Sequence, residues 1–455
     1  MDRTSINGGG TADVLIIGGG LAGLAAATRL AEGGRSVTVI DDPVGGPNEL
    51  GESLEFSAPR ALRAIGIEPA ELLADGVGFG KTNVFVDQAA TGTFEIWPPG
   101  WFRHPPLFGS HETLHINRAG LEEELRKRAD EAGVSFLADR VTEVDATDEG
   151  SSARITALAL RSGGRVTAHW YLDAGGHRSR VIGRALRLPI TPIGDERMAI
   201  HARFLHRPRR PITQLLFSAN AERRMTWGWV LPIGPDRTSI GAVVPVDELR
   251  RARRTGRSND DLFWGLVREF GHLDLPRADQ IIGEGVATRA YTPYVHHDTS
   301  GPNWALMGDA ATLLDPITSS GVATALLSAG TAAELVAADL AGSSRRMPPG
   351  RRRAGVAQAH RGHHHLTVRT ATVINRLVDR VLHRRGLRAL VGTRIAVFTF
   401  AITNVLINAW YSRLQPTTRW RMAAHRLLLW AAAALTGAAG VLDAIVRRLP
   451  VMRGR

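Results

Sequence analysis

The 455-residue chain has no cysteine, which excludes disulfides, thiolate metal ligands, a cysteine nucleophile and a cysteinyl cofactor link. Lysine is scarce in a chain rich in arginine. The polar, glycine-rich lead from Met1 to Thr11 lacks the apolar stretch of a secretory signal, so the body is expected to stay in the cytoplasm. No P-loop, no Ser/His/Asp triad and no internal repeat can be made out. His363, His364 and His365 stand side by side; on a helix they would point in different directions, and no regularly spaced ligand follows. They read as part of an exposed basic helix face, and no metal site is expected. With 44% hydrophobic and 22% charged residues, the composition is still that of a globular protein, long enough for two or three lobes around a large core.

The net charge of +12 is unevenly spread. From Arg345 to Arg455 there are 21 arginines against two acids, Asp379 and Asp443, a surplus of 19 that leaves the preceding body at about −7. A nucleic-acid binder that is basic throughout would look different, so nucleic acid is not an expected partner. The same tail holds the longest apolar runs, Ile395 to Ala409 and Leu427 to Val446. The second approaches the ~20 residues that span a bilayer. Arginines flank both of its ends, however, whereas a simple span prefers basic charge on one side. An in-plane anchor on an anionic membrane surface fits better, placing the chain peripherally at the inner face of the membrane. A helical cap packed on the body and a dimer contact are the alternatives.

One stretch organises the rest: Asp13-Val-Leu-Ile-Ile-Gly-Gly-Gly-Leu-Ala-Gly-Leu24. A short apolar run ends at Gly18, and Gly18, Gly20 and Gly23 carry the G-x-G-x-x-G spacing, with Leu21 and Ala22 at the start of an Ala-rich amphipathic run. The first glycine allows a tight turn, the second lets a pyrophosphate approach the backbone, and the third lets helix and strand pack closely. The helix N-terminus offers free N–H groups to phosphate. A second β-like run, Ser36–Ile40, ends in Asp41, about 20 residues on, where an acid can hold a ribose hydroxyl. Strand, helix, second strand and acid together predict dinucleotide binding.

The remaining chain divides into a disordered lead (1–12), a first cofactor segment (13–90), a Trp/Phe/Pro-rich pocket or lid loop (91–110), a second cofactor segment (111–185), a substrate-binding sheet (186–295), a third cofactor segment (296–342) and a helical, basic C-terminal region (343–455). Helices are expected at about 57–65, 119–132 and 322–340. Strands are expected at 81–86 and 136–144, in two runs around Ser162-Gly-Gly164, and over much of 196–245. Arg250 to Arg257 reads as a charged, exposed connection. The predicted fold is α/β (α+β): a Rossmann-like layer with an inserted antiparallel sheet and a helical tail.

The second diagnostic stretch is Gly308-Asp-Ala-Ala-Thr-Leu-Leu-Asp-Pro-Ile-Thr-Ser-Ser-Gly-Val322. Gly308-Asp309 at a strand end can place a carboxylate on a ribityl or ribose hydroxyl. Pro316 through Gly321 feed a helix start at Val322, whose N–H groups suit an anion or the pyrimidine edge of a flavin. Paired with the N-terminal fingerprint, this selects FAD. No second G-x-G-x-x-G follows a strand, so the electrons are expected from NAD(P)H docking transiently or from an external flavin reductase.

With these motifs the chain resembles the FAD-dependent monooxygenases of the para-hydroxybenzoate-hydroxylase type, and within them it is most similar to flavin-dependent halogenases and halogenase-like oxidoreductases. The resemblance covers about residues 13–340. It implies cofactor roles for Glu52 and Ser53 in the first segment and for Arg118 near the FAD phosphates. Asp173-Ala-Gly-Gly-His-Arg-Ser-Arg resembles the middle Asp-Gly segment of that superfamily. Trp227-Gly-Trp-Val-Leu-Pro232 resembles the halogenase W-x-W-x-I-P, whose tryptophans separate flavin from substrate. Lys81 falls where halogenases carry the lysine that captures or hydrogen-bonds hypohalous acid. Ser319, Ser320 and the Gly321 N–H would form a halide site. Thr318 stands where tryptophan halogenases have a glutamate, which argues against tryptophan as substrate.

The resemblance implies a flavin C4a-hydroperoxide, formed with O2, that halogenates or oxygenates a small lipophilic or aromatic molecule; Lys81, Trp227 and Trp229 would carry the chemistry. Three alternatives stand beside it: an ene-reductase of the geranylgeranyl-reductase type, a direct monooxygenase, and a flavoprotein accessory factor that modifies a partner protein. A Trp-rich core strand and a solvated strand-end lysine are the corresponding structural readings of the Trp227/Trp229 and Lys81 positions.

Overall fold

From Val14 to Ile17, strand Ala12–Ile17 is apolar and buried on both faces, as suits the middle of a parallel sheet covered by other layers. The computed structural model describes residues 12–42, 50–55, 58–81, 84–88, 92–95, 114–207, 213–219, 225–269, 275–340, 353–358, 360–365, 368 and 372. Among these, five parallel strands lie in the order Trp304–Leu306, Ala168–Asp173, Ala12–Ile17, Val37–Asp41 and Ser135–Ala138. Val14, Ile16 and Leu172 face helices Leu21–Glu32 and Gly321–Leu340, whose alanines let the helices approach closely. Leu15, Ile17, Tyr171 and Trp304 face the other way, into a core shared with a three-stranded sheet. Helix Gly321–Leu340 is long and apolar enough to cross a membrane, but its apolar residues are spent in the first of these cores.

A second, seven-stranded layer contains Ile281–Tyr291, Arg197–Leu205, Arg237–Pro245, Met225–Pro232, Thr213–Ala219, Val84–Gln88 and Gly92–Glu95 in that order. Its pairs are antiparallel except Thr213–Ala219 with Val84–Gln88, which run parallel. One face packs Ile200, Phe204 and Ile240 on Phe263 and Leu249 of helices Asn259–Glu269 and Val246–Arg254. The period-two alternation of the strands turns the other face toward the parallel layer.

Several expected elements are corrected. The run 136–144 is two strands, not one: Asp139 turns the chain, its carboxylate accepting from the Arg140 N–H at 2.6 Å, and Val141–Ala146 leaves for the three-stranded sheet. Most of Arg250–Arg257 is helix, because Val246 and Leu249 give it an apolar face and Arg251 pairs with Asp247 one turn away at 3.2 Å. Lys81 does not begin a strand to Val86; it lies between strands Gly78–Gly80 and Val84–Gln88. Gly92–Glu95, placed in a pocket loop, pairs as a strand with Val84–Gln88. The rest of that loop, residues 1–11 of the lead, and the tail runs 395–409 and 427–446 lie outside the described residues.

The histidine run is also corrected. The helical residues 353–358 and 360–365 lie on the body, and only His365 of the three is exposed. Arg353 stacks over Trp170 at 5.5 Å and pairs with Asp339 at 3.3 Å. His360 bridges the Leu306 carbonyl at 3.0 Å and the Thr331 hydroxyl at 2.8 Å, and His364 meets the Thr312 hydroxyl at 3.1 Å. Buried polar partners on the body, not solvent, explain why these imidazoles face inward.

Burial pushes His360 down to about 4 and His363 to about 3; it pushes His364 well below the usual range and the facing His296 to about 4, with Arg361 and Arg180 adding to the effect on His360 and His296. Undocked, these groups would titrate near 6.5, so docking is fully stabilised above that pH and weakens as pH falls from 6.5 toward 4. Limited proteolysis between Leu340 and His365 is expected to accelerate over that window while cleavage in the parallel layer does not.

Candidate functional site

The turn after the first strand is built around missing side chains. Gly18 has φ +96°, and a Cβ there would lie 2.7 Å from the Ala174 carbonyl oxygen; at Gly23 it would lie 2.0 Å from the Gly18 oxygen. Strand, turn and helix are therefore in contact. Gly20 differs: nothing lies within 4 Å of its Cβ position, and it caps the N-terminus of helix Leu21–Glu32 beside a cavity of about 1040 Å³. Leu21 and Ala22 line the same cavity. Asp41 also lines it, accepting from the Gly19 N–H at 2.9 Å and pairing with Arg126 at 2.5 Å.

The other end of the cradle comes from the strand Trp304–Leu306. Gly308 turns with φ +53° and its N–H donates to Ser328 Oγ at 2.9 Å. Asp309 follows; burial raises its carboxyl to about 6, with Arg118 and Arg289 opposing, so it is an acceptor at neutral pH. Arg118 is the first residue of helix Arg118–Glu131, not the residue before it, and it holds Glu122 at 2.8 Å. The turn Pro316–Thr318 ends at Ser319 with φ +57°, a left-handed conformation rare outside glycine. Pro316, Ser319, Ser320 and Val322 line the cavity, and Gly321, at the start of its helix, has nothing within 4 Å of a Cβ position. Two helix N-termini, each with an open glycine, thus face one cavity that also holds Asp41, Arg118 and Asp309. This is a cradle for a long molecule anionic at its middle, and it fits FAD.

Beyond the cradle the cavity meets the seven-stranded sheet. Trp227 and Trp229, alternate residues of one strand, both line it, with ring centroids 5.6 Å apart. Trp229 donates to Ser239 Oγ at 3.1 Å; a Cβ at Gly241 would lie 2.3 Å from its ring, so that glycine makes room for the indole. Ala199, Leu215 and Val243 complete an apolar chamber.

Glu52 also lines the cavity, but its carboxylate is tied to Arg203 of the sheet at 2.6 Å. Ser53 lines it too. Lys81 stands behind Ser53: its Nζ donates to Ser53 Oγ and the Leu54 carbonyl, each at 3.0 Å, and Lys81 is not among the lining residues. Burial pushes its ammonium down to about 8, with Glu55 opposing. Thr318 lies in the turn, its side chain outside the described residues.

Arg197, Arg289 and Tyr291 were not singled out from the sequence, nor was Asp315 beyond its place in the motif. Arg289 and Tyr291 share the sheet face of Trp227 by register: Trp227 opposes Val243, which opposes Ala199, which opposes Arg289. Period-two counting from Trp227 could reach strand neighbours, but only the pairing order shows which strands are adjacent. Asp173 is fully buried, accepting from the Gly175 and Ile182 N–H groups at 3.0 and 2.8 Å; it shapes the loop at Ala174 and Gly175.

Gly20→Val is expected to weaken FAD retention at least about tenfold while costing less than ~1 kcal/mol of stability. Gly18→Val is expected to destabilise the fold itself, by about 1–3 kcal/mol. Thermal unfolding and flavin fluorescence separate the two outcomes.

Residues 13–45 match a family model described as an FAD binding domain, and residues 103–345 match one described as tryptophan halogenase. The 1H-pyrrole-2-carbonyl-[peptidyl-carrier protein] chlorinase of Pseudomonas fluorescens is 28% identical over 337 residues, covering 70% of this chain and 74% of the relative. A menaquinone reductase of Mycobacterium tuberculosis is also 28% identical, over 341 residues, covering 72% and 76%. The solved structure of the flavin-dependent brominase Bmp2 superposes with a TM-score of 0.64 at 21% identity, over 97% of this chain and all of the other. That of CmlS, a flavin-dependent halogenase, gives 0.65 at 18% identity, over 92% and 77%. These structures share the fold, a parallel layer joined to a larger sheet. By the match over more than half its length, the chain belongs to the tryptophan halogenase family and is an FAD-dependent enzyme.

Proposed function

We propose that this chain halogenates a small, apolar or aromatic molecule, using O2, halide and reduced FAD supplied by a separate flavin reductase or regenerated by transiently docked NAD(P)H. The observation that carries this reading is that a single cavity is lined by the FAD cradle, by its Ser319–Ser320–Gly321 turn and by Trp227 and Trp229. Reduced FAD, when bound, supplies the activation of O2. The turn would hold halide through hydroxyls and the Gly321 N–H, at the positive end of the helix Gly321–Leu340. The two indoles would keep the organic molecule at a distance and exclude water. Lys81 is the buried amine nearest this path, one side chain away through Ser53. As a neutral amine it would take the halogen from hypohalous acid, releasing water, and return it to the ring carbon as the ring proton leaves to the amine.

Lys81→Ala is expected to lower halogenated product at least about 100-fold with FAD still bound. In the parent, product formation should rise with pH through about 8, because the neutral amine is the active form and burial has brought its pKa into that range. Mass spectrometry of products formed with chloride or bromide measures both; unchanged turnover in Lys81→Ala and no halide dependence would remove the reading.

A second reading is favoured by the two hydrogen bonds that hold Lys81 against Ser53 and Leu54, and by the equally similar menaquinone reductase. In it the same chamber would hold a prenyl double bond, which takes a hydride from reduced FAD and a proton. Activity that survives without O2 selects it. The basic, apolar tail supports a place for either enzyme at the inner face of the membrane. The full chain is expected to float with anionic vesicles and not with zwitterionic ones; equal behaviour would remove that assignment.

A further inference from the structure

Asp315 opens the turn that ends at Gly321, and it is held from three directions. Its Oδ1 accepts from the Ile317 N–H at 3.2 Å, within the turn. Its Oδ2 accepts from the Tyr291 hydroxyl at 3.3 Å and lies 3.8 Å from Arg197 Nε. Tyr291 and Arg197 are register partners on neighbouring strands of the seven-stranded sheet, so both reach the turn from the chamber side. All three side chains are largely removed from solvent. The Trp227 indole lies near enough to act on the same carboxyl without meeting hydrogen-bond geometry. Its buried Nε1 has no partner among the described residues. A buried N–H without an acceptor is costly, and the Asp315 carboxylate, on which that indole acts, is an acceptor.

The turn needs such an anchor. Ser319 is left-handed, a conformation that persists only where the surroundings over-determine it. Within the turn, Ser319 N–H bonds to the Pro316 carbonyl at 2.9 Å, and Thr324 N–H to the Ser320 carbonyl at 2.9 Å. Asp315 is a side chain that joins this frame to the sheet.

We propose that Asp315 is a positioning residue that couples the chamber wall to the anion turn, so that the placement of Trp227, Tyr291 and Arg197 sets the halide affinity of Ser319, Ser320 and Gly321. This rests on the halogenase reading above. Coupling of this kind is reciprocal: an anion at the turn also tightens the strand that bears Trp227.

The test uses the full-length protein loaded with FAD, bromide as the probe, flavin absorbance for bromide affinity, and hydrogen exchange for local order. In the parent, bromide should slow exchange over residues 225–232 as well as at the turn. Asp315→Asn, which also loses the Arg197 pair and so melts at a lower temperature, should weaken bromide binding about tenfold, speed exchange over 316–324 by a similar factor, and abolish the bromide effect at 225–232. Asp315→Glu should restore part of the affinity, which general loosening would not do. Tyr291→Phe should act in the same direction with smaller size, and serves if Asp315→Asn does not fold. If bromide affinity and turn exchange in both variants stay within about twofold of the parent, the coupling is wrong. If the parent shows no bromide response, the halide reading fails. Turn exchange then decides the coupling alone: faster exchange at 316–324 keeps it, unchanged exchange overturns it.

Discussion

The cavity depends on two carboxylates from the parallel-sheet layer meeting arginines on the inward face of the larger sheet. Glu52 meets Arg203 at 2.6 Å on one side, and Asp315 lies 3.8 Å from Arg197 on the other. A buried ion pair adds little net stability over apolar packing, but removing one partner leaves a charge without its counter-ion and costs about 3–5 kcal/mol. Such pairs therefore fix relative position more than they add stability. An apolar contact would let the layers slide; a carboxylate between defined donors has one good place. Both pairs border the cavity, so the space between FAD cradle and tryptophans is set where error matters most.

The parallel layer was legible because its constraints are local. Gly18, Gly20 and Gly23 must be glycine for reasons that act within a few ångströms, and Asp41 follows at a distance fixed by one helix and one strand. The break at Asp139 was not legible, since an unbroken run of β-formers does not reveal which sheet each half joins. The histidines of residues 363–365 misled because polarity and adjacency suggest solvent. Thr312, Thr331 and the Leu306 carbonyl, which pair with His364 and His360, are distant in sequence.

The candidate site was half legible. Trp227, Trp229, Ser319, Ser320 and Gly321, each singled out by a motif, line the same cavity. Lys81 was placed by order along the chain, which cannot say whether its amine faces the cavity or the Leu54 carbonyl. Arg197, Arg289 and Tyr291 carry no motif. They matter only because Ile281–Tyr291 pairs with Arg197–Leu205, which pairs with Arg237–Pro245, which pairs with Met225–Pro232, an adjacency that the order of the strands along the chain does not give.

The two strands that bracket Lys81 belong to different sheets. Gly78–Gly80 pairs with Leu114–Ile116, while Val84–Gln88 runs beside Thr213–Ala219. The lysine thus sits in a connection whose length is fixed at both ends by separate ladders. A change in the length of chain between them would shift the register of Val84–Gln88 against Thr213–Ala219 or drag the amine off Ser53. Residue count, more than residue identity, governs this crossing, so insertions and deletions between Gly80 and Val84 should be tolerated far less than substitutions at the positions flanking Lys81.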